Sequence, residues 1–286
     1  MKILVTGAKG QLGTELMRVI AARGDEGVGI DIDTVDITER QIVHETFAQI
    51  RPDTVINCAA WTAVDACEGD PDKALTANGV AVRWVAEACD AIDAHLVHVS
   101  TDYVFDGTKP TPYVETDVPN PQSVYGSTKL VGETEALALG TRAAVVRTSW
   151  VCGFHGNNMV RTVHKLAQER DSLSFVNDQI GHPTFTSDLA PLLLTVATDR
   201  LAGIFHGTNQ GAVSWYEFVR EIVRFMGRDP GMVHPITTAE LQPPRPAKRP
   251  ANSVLENKSL SDLGYEPTRN FREPLTELLH RLEVST

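Results

Sequence analysis

The sequence predicts an α/β protein: a doubly wound parallel sheet followed by a smaller, irregular C-terminal region. Three observations carry this. Short apolar runs alternate with segments of helical periodicity up to residue 149, a glycine-rich turn separates the first run from the first helix, and the alternation degrades beyond it as glycine and proline punctuate more often.

Residues 1–6 form a short apolar run ending at Gly7, read as a strand. Residues 11–22 follow as a helix, because Leu12, Leu16, Val19 and Ile20 recur at helical spacing. The pattern then repeats. Residues 27–32 are a strand, 38–50 a helix with Ile42, Phe47 and Ile50 assigned to one face, and 54–58 a strand. Residues 72–91 and 122–139 are helices, and 96–100 and 143–147 strands. Strands alternating with helices pair in parallel through right-handed crossovers, which predicts strand order 3-2-1-4-5-6 with both faces covered.

This divides the chain into a dinucleotide-binding domain, 1–149, and a smaller substrate-binding region, 150–286, with some elements returning to the first domain. Within the second, 214–225 and 271–282 are amphipathic helices, whereas the proline-rich stretch 242–250 excludes regular helix and central strand. No internal repeat or low-complexity tract is visible.

The turn Gly7-Ala8-Lys9-Gly10-Gln11-Leu12-Gly13 spaces its glycines three and three at the junction of first strand and first helix. Such a turn lets the backbone approach a pyrophosphate, which rests on unpaired N–H groups at the helix N-terminus. The fold is therefore of the Rossmann type. Asp31 ends the second strand about 20 residues on, where an acid hydrogen-bonds a ribose hydroxyl and favours NAD. Lys9 argues the other way, as a cation suited to a 2′-phosphate, so NADH and NADPH both stay open. Asp36 and Ile37 are placed to flank an adenine, although Asp36 equally suits a helix cap.

In Val124-Tyr125-Gly126-Ser127-Thr128-Lys129 a phenol and an ammonium stand at i and i+4 of a helix, hence on one face. A neighbouring lysine stabilises phenolate and lowers the phenol pKa from its usual ~10, which equips Tyr125 as a proton donor in carbonyl reduction.

Composition narrows the rest. The formal net charge of −11 gives no general attraction to nucleic acid or anionic membranes. No apolar run approaches the ~20 residues of a membrane span, and no secretory leader is recognisable, so a cytoplasmic protein is expected. Cys58, Cys67, Cys89 and Cys152 form no Cys-x-x-Cys pair and are expected as thiols. The nine histidines show no metal-ligand spacing.

Finer motifs are the run from Asn57 to Asp65, Ser100-Thr101-Asp102-Tyr103-Val104-Phe105-Asp106-Gly107, Arg147-Thr148-Ser149-Trp150-Val151, the run from Asn177 to Thr184, and Arg249-Pro250-Ala251-Asn252-Ser253. Together they resemble the dTDP-4-dehydrorhamnose reductase family of extended short-chain dehydrogenases/reductases. The resemblance spans nearly the full length. It implies reduction of the C4 ketone of dTDP-6-deoxy-L-lyxo-4-hexulose to dTDP-L-rhamnose, with Thr101, Tyr125 and Lys129 as the catalytic set. It further implies that the cofactor touches Gly10, Gln11 and Leu12 at the turn and Ala59, Ala60, Trp61, Thr62 and Val99 at strand ends, while Lys129 anchors the nicotinamide ribose. Asp102, Tyr103 and Trp150 match substrate-contacting positions, Arg249 is the candidate for the dTDP pyrophosphate, and Asn78 matches an asparagine that orders the site. Trp150 as core and Arg249 as an ion-pairing residue are the structural alternatives.

Some members bind Mg²⁺ at a dimer contact through carboxylates. Glu15 matches one ligand, but Ser187 stands where the next acid is expected, with Asp188 displaced by one. No metal is therefore assigned, and the protein is expected as a monomer or homodimer. Three rival readings share these motifs. A 4,6-dehydratase would carry Asp-Glu where this chain has Asp102-Tyr103, an epimerase would retain bound NAD, and a regulatory subunit resembling that of methionine adenosyltransferase would show no turnover.

Overall fold

The structure is a computed structural model and describes residues 1–284. The alternating half reads β1 (Lys2–Thr6), α1 (Gln11–Arg23), β2 (Glu26–Ile30), α2 (Arg40–Ile50), β3 (Thr54–Asn57), α3 (Val64–Gly69), α4 (Pro71–Leu75), α5 (Ala81–Ile92), β4 (His95–Thr101), α6 (Val124–Leu137) and β5 (Ala143–Thr148). The second half contributes β6 (Val151–Cys152), α7 (Met159–Glu169), β7 (Leu173–Val176), β8 (Ile180–Gly181), β9 (Thr184–Phe185), α8 (Thr186–Thr198), β10 (Gly203–His206), β11 (Val213–Ser214), α9 (Trp215–Phe225), β12 (Val233–Ile236), α10 (Lys258–Asp262) and α11 (Arg272–Val284). No helix among the described residues is long and apolar enough to cross a membrane.

Six strands form one parallel sheet in the order β10-β5-β4-β3-β1-β2. This corrects the expected 3-2-1-4-5-6. Only β2 lies beyond β1 on that side; the chain returns through α2 and sets β3 against the other flank of β1. The order reverses between β1 and β3 nonetheless, so the crevice for a ligand opens at their C-terminal ends, as it does in other open α/β sheets.

Side chains alternate across the sheet. Ile3, Val5, Ile56, Val97 and Val146 pack with α1 and α8, while Leu4, Val55, Leu96 and Val145 pack on the opposite face with α2 and α5. Helix α2 buries Val43 and Phe47, and Ile42 is exposed. The expected grouping of Ile42 with Phe47 fails because five helical residues turn the side chain well off the face, whereas four return it.

The segment read as one helix over 72–91 is α4 and α5 joined by a π-helical stretch, Thr76–Val80. Beyond β5, α7, α9 and α11 enclose a separate apolar cluster around Phe218, Phe271 and Leu279, while α8 and β10 return to the large sheet. No regular helix or strand forms over 242–250.

Candidate active site

The phosphate turn is built by close approach. Gly7 has φ +66°, and a Cβ on it would lie 2.9 Å from Ala59 N; a Cβ on Gly13 would lie 2.1 Å from Gly7 O. Backbone cannot yield there as a flexible side chain would, so both positions exclude any larger residue. Gly10 caps α1 without a side-chain bond, so the N–H groups of its first turn are not satisfied by a capping side chain. This cradle fits a dinucleotide pyrophosphate. Gln11 also bridges to the second half, through Nε2 to Asn157 O at 3.0 Å and Oε1 from Asn158 Nδ2 at 2.9 Å.

Asp31 folds back on the turn, its Oδ2 accepting from Lys9 N at 2.8 Å. Lys9 itself pairs with Asp33. Asp36 accepts from the N–H and hydroxyl of Thr38, which closes a turn ahead of α2 without capping it, since the N-cap is Glu39 and has no side-chain bond, and Ile37 packs on the sheet's apolar cluster.

Ala59, Ala60, Trp61 and Thr62 leave the end of β3. Asn78 clamps this segment from both sides: its Oδ1 accepts from Trp61 N at 2.8 Å and its Nδ2 donates to Trp61 O at 3.1 Å. The π-helical stretch that carries Asn78 is what brings a buried carboxamide to that backbone, and such stretches recur at functional sites.

At the end of β4, Thr101 Oγ1 donates to Asp102 Oδ1 at 2.9 Å and accepts from Tyr103 N at 3.2 Å. Helix α6 starts at Ser123, whose hydroxyl accepts from Gly126 N, and presents Tyr125, Thr128, Lys129 and Glu133 to the interior. Most interior helix faces in this protein are apolar; this one is polar, as a reactive face must be. Tyr125 is 8% exposed and meets Tyr103 edge to face at 5.5 Å.

Burial raises the Tyr125 phenol pKa, against a hydrogen bond from Thr101 that lowers it. This reverses the expected direction. Lys129 gives its hydrogen bonds to Val99 O at 2.7 Å and His98 Nε2 at 3.2 Å rather than to the phenol, and burial penalises phenolate. Tyr125 is therefore protonated at neutral pH, the form an acid requires. The same burial lowers Lys129 to about 8 and raises Asp102 to about 6.

Trp150 adopts φ +46°, a conformation bulky residues rarely take, and its indole stacks on Trp215 at 3.6 Å. It packs against the second apolar cluster. Arg249 grips Asp65 in bidentate fashion, at 2.6 and 2.7 Å, holding that carboxylate down at about 2. The ion-pairing alternative is thus the state of Arg249 in this structure. Glu15 accepts from Arg18 at 2.6 Å, and Asp188 from Asn209 and Arg269; among the described residues no group of three or more potential metal ligands occurs.

Two buried polar clusters escaped the sequence reading. One is Ser100, Glu133 and Arg147: Glu133 accepts from Ser100 at 2.6 Å and from Arg147 at 2.9 and 2.7 Å. The other is Thr6, Asn57 and His98, with the Asn57 carboxamide 2.5 Å from Thr6 Oγ1 and 3.1 Å from His98 Nδ1. The signal was available. Each of these residues interrupts or ends an apolar strand, or stands four residues after Lys129, where a polar residue has no packing reason to be.

The family model described as the RmlD substrate binding domain matches residues 1–284. The chain belongs to this family. Within the RmlD family, a dTDP-4-dehydrorhamnose reductase of Streptomyces griseus is 41% identical over 96% of this chain and 91% of its own. Among solved structures, a dTDP-4-dehydrorhamnose reductase from Clostridium acetobutylicum superposes with TM-score 0.95 at 44% identity, covering 99% of this chain and all of the other. The Bacillus anthracis dTDP-4-dehydrorhamnose reductase in complex with NADP gives TM-score 0.92 at 35% identity, covering 100% of this chain and 99% of its own.

Proposed function

We propose that this chain is a dTDP-4-dehydrorhamnose reductase, which reduces the C4 ketone of dTDP-6-deoxy-L-lyxo-4-hexulose to dTDP-L-rhamnose with NADPH or NADH. The observation that carries the reading is the placement of Thr101 at the end of β4 and of Tyr125 and Lys129 on the buried face of α6, in a fold whose glycine turn at the start of α1 suits a phosphate-bearing ligand. Relatives named for this activity, at about 40% identity over nearly the whole chain, support it.

Gly7, Gly10, Gln11, Leu12 and Gly13 hold the pyrophosphate, Asp31 a ribose, Asp36 and Ile37 the adenine side, and Ala59 to Thr62 with Val99 the strand-end wall. Bound there, the nicotinamide supplies hydride to C4. Tyr125 gives its phenolic proton to the ketone oxygen as charge develops on it, and Thr101, its hydroxyl turning from Asp102, donates a hydrogen bond to the same oxygen. Lys129 holds the nicotinamide ribose and offsets negative charge left on the phenol. Asp102, Tyr103 and Trp150 orient the sugar. Arg249 meets the nucleotide's diphosphate by exchanging Asp65 for phosphate oxygens.

The division into a dinucleotide-binding domain, 1–149, and a substrate region, 150–286, belongs to this reading, as do a cytoplasmic location and a monomeric or homodimeric state. The test is coupled turnover of dTDP-4-dehydro-6-deoxyglucose with a 3,5-epimerase, following NADPH and NADH oxidation in parallel. Substrate- and epimerase-dependent oxidation is expected; no oxidation with either cofactor sinks the assignment.

A further inference from the structure

Thr6, Asn57 and His98 occupy one row of the sheet. Thr6 is registered with Asn57 across β1 and β3, and Asn57 with His98 across β3 and β4. All three have no exposed surface, and the row ends on Lys129, which is 2% exposed. Thr6 and Asn57 end their strands where the chain enters the candidate cofactor crevice, Thr6 before Gly7 and Asn57 ahead of the segment from Ala59 to Thr62, while His98 lies within β4. Ala59 N also donates to Thr6 Oγ1 at 3.4 Å.

Donor counting fixes the state of the row. An ammonium only donates, so His98 Nε2 must accept from Lys129. His98 is held neutral, its pKa well below the ordinary value through burial and the Lys129 charge. A neutral ring with Nε2 as acceptor carries its proton on Nδ1, and Nδ1–H needs an acceptor. The two ends of a carboxamide have the same shape, so its orientation follows from its neighbours. In the structure the Asn57 oxygen accepts from Thr6 Oγ1 and its nitrogen faces His98 Nδ1; the Nδ1–H tautomer requires the carboxamide turned over, so that its oxygen accepts from His98 Nδ1 and its nitrogen faces Thr6 Oγ1.

We propose that His98 is a positioning residue for Lys129, its Nδ1–H tautomer set by Asn57 and Thr6, so that the row braces the ammonium against the strand ends that form the phosphate turn. With Val99 O and His98 Nε2 each taking one ammonium hydrogen, one is left to reach into the crevice. This rests on the reading of Lys129 as the ribose-holding lysine. The titratable groups facing Lys129 are Glu133 and Tyr125, one turn away on its own helix in either direction, Cys58 beyond β3, and His98 on β4. Of these, His98 supplies a neutral acceptor at hydrogen-bond distance.

The first test needs neither substrate nor variant activity. Protein labelled with ¹⁵N-histidine, its His98 signals identified by their loss in His98→Gln, is examined for ring tautomer by long-range ¹H–¹⁵N correlation from pH 6 to 8. A neutral Nδ1–H ring throughout is expected; an Nε2–H ring overturns the proposal.

The second compares NADPH affinity with pH for wild type, His98→Gln, which keeps an acceptor, and His98→Leu, which does not. Loss of a hydrogen bond to a charged group is expected to weaken NADPH about tenfold in His98→Leu and to move its alkaline fall to lower pH by about one unit, with partial recovery in His98→Gln. An unmoved alkaline fall in His98→Leu, whatever its melting temperature, makes His98 merely structural. Because neither measurement uses a sugar, a wrong substrate assignment would show in the coupled assay and leave these results intact.

Discussion

Lys129 Nζ donates to the carbonyl oxygen of Val99 at 2.7 Å, which ties the ammonium of α6 to the last turn of β4. Burial lowers Lys129 to about 8 from 10.5, so its charge is lost within the working range of an enzyme. Since charged lysine is the form that holds the ribose, kcat/KM should fall as pH rises through about 8. Between about 8 and 10.5 the unfolded chain binds the extra proton, so this group makes folding stability rise with pH across that window. A pH–rate profile set beside urea denaturation at the same pH values checks both signs.

Tyr125→Phe removes one oxygen from a site that is 8% exposed and leaves its packing against Tyr103 intact. Acid catalysis of this kind contributes roughly 10²- to 10⁴-fold. A loss of kcat in that range is expected with NADPH affinity nearly unchanged, measured by steady-state kinetics and cofactor titration; near-normal turnover would remove Tyr125 from its role.

Asp102 titrates in the opposite sense to Lys129. Burial raises its carboxyl from 3.8 to about 6, so the folded protein holds a proton there that the unfolded chain has already released. Its contribution to stability is complete below about 4 and is lost as pH rises through about 6. Asp102→Asn, which cannot ionise, should be more stable than wild type at pH 7 and lack that slope, while kcat/KM drops through altered sugar orientation. Denaturation midpoints from pH 4 to 7 would reveal a parallel slope if this account of Asp102 is wrong.

Glu133 and Arg147 are 3% and 1% exposed and are joined by two hydrogen bonds, from Arg147 Nε and Nη2. Removing either partner leaves an unpaired interior charge, a change that costs about 3–5 kcal/mol. Glu133→Leu and Arg147→Met should each destabilise by that order in chemical denaturation. The double variant should recover much of it, and simple additivity of the two losses would contradict a direct pairing.

Local pattern was enough to read the alternation of strands and helices, the glycine turn, and the polar face bearing Tyr125 and Lys129. Strand order was not, because the direction in which α2 carries the chain back past β1 is decided by packing on both faces rather than by any residue in 40–50. Ile42 and Val43 are adjacent apolar residues, and only the helix's azimuth tells which is buried. The partners of Lys129 depended on strand register: His98 meets Asn57, and Asn57 meets Thr6, only once three strands separated by about half the domain lie side by side. The strained backbone of Trp150 left no mark in composition, since nothing but tertiary context holds a tryptophan at positive φ.

The π-helical stretch Thr76–Val80 fits an extra residue into a turn without advancing the helix by the usual amount. Downstream, Val82, Val85, Ala86 and Cys89 still meet the sheet in phase. The helix is thus one residue longer than its packing requires, and deleting that surplus would return it to α geometry with its apolar face preserved. What would be lost is the reach of Asn78 to Trp61, so the stretch behaves as a detachable tool mounted on a helix that would fold without it.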